Sequence, residues 1–218
     1  MSAAVVLAAA LASIRGGAAH AETIALTGAT VHTASRGILA DATVVIADGK
    51  IVAVGAGIAP PAGATIVSCA GKHIAPGFIS ANTLLGLTEV QSVRATNDYR
   101  EIGAINPNIA AEVQVNPESD LLPVARANGV TSALVIPRGG LVSGTSALMH
   151  LDGWNATDMT VRAPVALHVQ WPARTYSFVK ETRETQKKEY AAKLDTIRAA
   201  FDDARAYWKA RDAEGKAG

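Results

Sequence analysis

Hydrophobic and polar positions change their rhythm twice along the chain. Between Thr23 and Ile79, short β-branched runs alternate with polar positions: Thr23–Leu26, Ala29–Thr33, Ala42–Ala47, Lys50–Val54 and Ala64–Ser68. Gly28, Asp48-Gly49, Pro60-Pro61 and Gly71-Lys72 separate them. Period-two runs bounded by such residues predict strands. Asp48-Gly49, between VVIA and KIVAVG, predicts a type I′ hairpin, because that turn needs positive φ at both central residues. The segment therefore predicts a small antiparallel sheet or sandwich.

After Pro76-Gly77 the pattern loosens. A strand ends at Phe78-Ile79, and Asn82 to Pro117 is rich in Asn, Pro and acidic residues and reads as loop. Leu121–Asn128 predicts a helix and Val130–Ile136 a buried strand. Arg138–Ser146 predicts a glycine-rich loop and Val161–Val169 another apolar strand. That order suggests parallel βαβ units and an α/β class. From Lys180 to Asp212, Tyr190, Leu194, Ile197, Phe201, Ala204 and Trp208 form one stripe among charges, which predicts an amphipathic helix lying on a sheet. A partner-binding helix is the less favoured reading.

The first residues differ again. Ala3 to Ile14 is apolar and too short to span a bilayer, and Ala19-His20-Ala21 follows it in the small-x-small pattern of a peptidase site. Residues 1–21 thus read as a signal peptide, with a mature chain from Glu22 that is exported, periplasmic or secreted. No Lys or Arg precedes the apolar run, and a buried Ala-rich helix is the alternative.

Composition narrows the function classes. Apolar residues make up 49% of the 218 and the net charge is +1, so a core is supported and no basic footprint for nucleic acid exists. Nor does any run after the signal read as a membrane span. Cys69 is the one cysteine, which excludes an intramolecular disulfide and any zinc site built on several cysteines.

Gly28 to Asn82, and within it Gly71-Lys72-His73-Ile74-Ala75-Pro76-Gly77-Phe78-Ile79, resembles the imidazolonepropionase-like members of the amidohydrolase superfamily. The likeness continues through GLTEV, ATNDY, VTSALVIPRGG and SALMHLDGW. It implies a β-sandwich segment over residues 22–75 and, over 76–218, the first part of a metal-dependent (β/α)8 TIM-like barrel. It also implies hydrolysis of carbon–nitrogen bonds other than peptide bonds, such as those of cyclic amides, with a divalent, zinc-type metal. The family's first barrel strand ends His-x-His. Aligned on Pro76-Gly77-Phe78-Ile79, those positions are Asn82 and Leu84. Leucine has no donor atom and an amide oxygen is a poor zinc ligand, so this strand supplies no metal site. A (β/α)8 barrel takes about 250 residues and at least roughly 200. Residues 76–218 number 143, which leads us to expect the front part of a longer protein whose later metal ligands lie beyond Gly218.

Among the histidines, His168 in VALHVQW is the candidate for a functional role, because it falls near the C-terminal end of a barrel-like strand. With Asn82 it is the expected substrate-binding pair. His32 and His73 fall in strands and read as structural or surface residues, His20 leaves with the signal, and His150 has no partner at ligand spacing. Arg138–Ser146 offers backbone N–H groups to an anion or, preferably, makes a tight turn. Asp98, Glu101 and Glu112 are loop carboxylates, and Asn155-Ala156-Thr157 is a weak glycosylation sequon. Two functions follow: an exported hydrolase of small molecules, or a non-catalytic relative that keeps the fold for binding or assembly.

Overall fold

The computed structural model describes residues 23–173 and 182–216. The signal-peptide reading of residues 1–21 lies outside them. The chain divides into two compact units, Met1–Pro76 and Gly77–Gly218.

The first unit contains β1 (Ile24–Thr33), β2 (Gly37–Ala47), β3 (Lys50–Ala56), β4 (Thr65–Ser68) and β5 (His73–Ile74). The Asp48-Gly49 turn forms as the sequence predicts, with φ of 53° and 69°, and closes β2 on β3 at the Ala47–Lys50 pair. The sheet order is β3-β2-β1-β4, with β5 also on β1. β4 and β5 run parallel to β1, so the sheet is mixed rather than antiparallel. The reason lies in the connection after β3: Pro60-Pro61 has no N–H to continue a ladder, and the chain crosses to the other side of β1. Ala29, Val31, Ala42, Val44 and Cys69 form the core on one face.

The second unit contains β6 (Phe78–Thr83), α1 (Ala111–Gln114), α2 (Leu121–Ala127), β7 (Val130–Val135), β8 (Val142–Thr145) and β9 (Ala147–His150). α3 (Ala156–Met159), β10 (Thr160–Arg162), β11 (Leu167–Val169) and α4 (Arg183–Lys216) complete it. β6, α2 and β7 make the expected βαβ unit, with β6 and β7 parallel. Gly129, at φ 86°, ends the helical turn ahead of β7. One sheet has the order β10-β9-β7-β6, and β8 pairs with β11 in another. Leu87, Leu122, Val135, Met149, Leu151 and Met159 are almost wholly buried around the first sheet, and each such side chain contributes roughly 1.5–3 kcal/mol.

Two expectations need correction. Val161–Val169 is two strands in two different sheets, because Pro164, joined to Ala163 by a cis bond, interrupts the ladder. The glycine-rich stretch contains β8, whose N–H groups bond within the chain. The mixed α/β class stands, and among the described residues the sheets do not close into a barrel. α4 forms where the stripe predicts it, but only Ile197 is fully buried, and Phe201 and Trp208 remain exposed. No described helix is long and apolar enough to cross a membrane.

Candidate active-site cleft

Parallel strands end their side chains' reach at their C-terminal edge, where open α/β sheets and barrels place ligands. β6 ends at Thr83, and the Ile136 N–H donates to the Thr83 carbonyl (3.1 Å), which sets the exits of β6 and β7 side by side. Asn82 comes from the end of β6, Ile136, Pro137 and Arg138 from the exit of β7, Ser143 from β8 and His168 from β11. Together they line a cleft of about 330 Å³. The structure thus brings the two predicted residues, Asn82 and His168, into one site.

Arg138 is the residue that sequence reading missed. Its Nη2 donates to Asn82 Oδ1 (3.3 Å) across 56 residues of sequence, and its backbone N–H is tied to the Tyr99 carbonyl (2.6 Å). It is the one formally charged residue of the lining. His168 is placed by pairing with Gly144 on β8. Gly144 has φ 114°, and a Cβ there would lie 2.5 Å from the Ile109 carbonyl oxygen, so only glycine lets β8 fit between Ile109 and β11. His168 Nε2 is buried without a hydrogen-bond partner. Burial pushes the imidazole pKa below its ordinary 6.5, so the ring is neutral at pH 7.

Leu84 is not in the cleft. The strand stops at Thr83, the Leu87 N–H donates to the Leu84 carbonyl (2.8 Å), and Leu84 packs against the hydrophobic core. The glycine-rich stretch offers no free anion cradle over Leu141 to Ser146. Leu141 and Val142 donate to the Ala104 carbonyl, Thr145 to Ile109 and Ser146 to Ala166. Asp98 and Glu101 line a separate polar cleft of about 580 Å³ with Arg94 and Arg100. Glu112, on α1, has a buried and unpartnered Oε2. His150 pairs with Ser132 (3.3 Å), Asn155 caps α3 by accepting from the Asp158 N–H (2.9 Å), and His32 and His73 belong to the first unit.

The cleft residues do not fit a zinc-type metal. One neutral imidazole and one amide oxygen already engaged by a guanidinium are a poor donor set, and the Arg138 charge repels a dication. Among the described residues no group of three or more His, Cys, Asp or Glu is placed to hold a metal ion.

No protein-family model matches the chain, and no curated protein matches it. Among solved structures, the amidohydrolase from Thermotoga maritima MSB8 superposes with a TM-score of 0.74 at 24% identity, over 87% of this chain and 49% of that one. Over the aligned residues this chain shares the fold of that protein. The chain spans about half the length of this amidohydrolase relative. Molinate hydrolase matches at 24% identity over 51% of this chain and 23% of its own, with a TM-score of 0.31, and adds nothing to the fold.

Proposed function

We propose that the protein is a hydrolase of the amidohydrolase type, acting on carbon–nitrogen bonds other than peptide bonds in small molecules such as cyclic amides. The observation that carries this reading is the convergence of Asn82, Arg138 and His168 at the C-terminal ends of parallel β6 and β7, in a chain that shares the fold of an amidohydrolase over the aligned residues. The Arg138 guanidinium and the Asn82 amide orient the substrate carbonyl and take up charge that develops on its oxygen. Neutral His168 accepts the proton of the attacking water and returns it to the leaving nitrogen. No step is assigned to a metal, because the cleft's donors do not suit one. In this reading residues 22–75 are the family's sandwich segment, residues 76–218 carry barrel-type strands, and residues 1–21 direct export to the periplasm or beyond. Nucleic acid is not a partner.

The test is incubation of the protein with a panel of five- and six-membered cyclic amides, followed by mass spectrometry. Ring-opened product that disappears with His168→Gln supports the hydrolase. A second reading, a non-catalytic binding relative, is favoured by Asn82 and Leu84 at the positions of the family's metal pair. Saturable binding of the same amides without product, lost in Arg138→Gln, would establish it instead.

A further inference from the structure

The first unit holds a pair of imidazoles that the cleft does not use. β5 lies parallel to β1, with Thr30 opposite His73 and Val31 opposite Ile74. Directly opposed residues share a face, and so do residues two apart on one strand. His32 therefore emerges on the same face as Thr30 and His73, away from the core side that Val31 occupies. The structure brings the rings together: His32 Nε2 and His73 Nδ1 are 2.9 Å apart, with ring centroids 5.1 Å apart and planes 35° to one another. The two nitrogens are within hydrogen-bond distance, with the donor set by the tautomer of each ring.

We propose that His32 and His73 form a two-imidazole site for a square-planar or tetragonal divalent ion, copper(II) or nickel(II). Metal–imidazole bonds are about 2.05 Å long, so two cis nitrogens at 90° stand about 2.9 Å apart, whereas a tetrahedral ion holds them about 3.3 Å apart. The observed 2.9 Å is a hydrogen-bond distance, and it shows that the two nitrogens come close enough to share one ion. Each ring takes the tautomer that keeps its proton on the other nitrogen, which frees His32 Nε2 and His73 Nδ1, and a turn of the exposed His73 ring directs both lone pairs to one point on the solvent side. Water fills the remaining positions. Copper(II) is favoured over zinc by its intrinsic affinity for nitrogen ligands.

The experiment uses the full chain without an affinity tag, titrated with copper(II), nickel(II) and zinc(II) salts at pH 7.5 by calorimetry. Electron paramagnetic resonance is recorded on the copper form. The expected result is one equivalent of copper(II) with hyperfine coupling to two imidazole nitrogens. His32→Gln and His73→Gln should each weaken it by about ten-fold or more, because the second imidazole binds as an intramolecular ligand. His20→Gln, His150→Gln and His168→Gln should leave it unchanged. Coupling to one nitrogen, zinc bound as tightly as copper, or unaltered copper affinity in His73→Gln would overturn the assignment. Circular dichroism of each variant checks the fold. Should His32→Gln unfold, the exposed His73→Gln decides the outcome.

Discussion

Gly77→Ala tests the packing at the start of β6 and β7. A Cβ on Gly77 would lie 2.1 Å from Thr131 Oγ1, 2.3 Å from Cγ2 and 2.7 Å from Cβ, whereas carbon atoms in contact sit about 3.5–4.0 Å apart. The last distance matters most, because no rotamer change moves Thr131 Cβ. One of the strands has to retreat by about 1 Å. β7 cannot do so freely, being paired with β6 on one side and β9 on the other. Overpacking of this kind costs about 1–3 kcal/mol, and the fixed Cβ places Gly77→Ala toward the upper end. At a urea slope of about 2 kcal/mol/M this lowers the midpoint by about 1 M. The chain has two units, so the melt must report on the second alone. Tryptophan fluorescence does this, because Trp154, Trp171 and Trp208 all lie beyond Gly77. Thr131→Gly in the same background removes every clashing atom, and the double variant should recover more than about 1 kcal/mol relative to the sum of the singles. A Gly77→Ala midpoint within about 0.2 M of the parent, or strict additivity with Thr131→Gly, would refute the reasoning.

His168 should titrate below 6.5 in the folded protein, which an NMR titration of the ring protons measures. The folded state binds fewer protons than the unfolded one in that window, so stability falls as pH drops through the unfolded value toward the folded one. His168→Gln should flatten that part of the pH–stability curve. Gly144→Ala should displace β8 from Ile109 and reduce ligand binding at the cleft along with a loss of about 2 kcal/mol or more, read by calorimetry and by urea melt. Leu84→His should cost about 1–3 kcal/mol by burying an imidazole among apolar side chains. Asn82→His, at the cleft wall, should cost less than half as much in the same melt.

How much of this was readable in advance depended on distance along the chain. The β2–β3 hairpin rests on four adjacent residues, and its turn chemistry suffices. The α2–β7 pair is likewise local, and its predicted bounds agree with Leu121–Ala127 and Val130–Val135 to within a residue. The parallel placement of β4 and β5 on β1 depends on a crossover that no local pattern encodes. Val161–Val169 misled because its hydrophobicity is continuous, whereas Pro164 within it breaks the ladder. Asn82 came from alignment with the family's His-x-His position and His168 from its place near a strand end, and the two line one cleft. Arg138 was not: it stood in what read as a turn, and its meaning comes from Asn82, which lies far back in the sequence. Leu84 came from the same motif alignment, and β6 ends at Thr83, one residue before it.

The shortness of β11 limits how this family of sequences can drift. The strand has three residues, and an irregularity falls between His168 and Val169. Only Ala163 to Ala166 separate it from β10, which belongs to a different sheet. A strand's side chains alternate, so gaining or losing one residue in that spacer would set Leu167 or Val169 opposite Gly144 and turn the imidazole to the other face. Loop length here is therefore under a parity rule. Natural variants that retain a histidine in the cleft should differ in this spacer by even numbers of residues, or carry a compensating bulge. Lineages with odd changes should have relocated or abandoned the histidine.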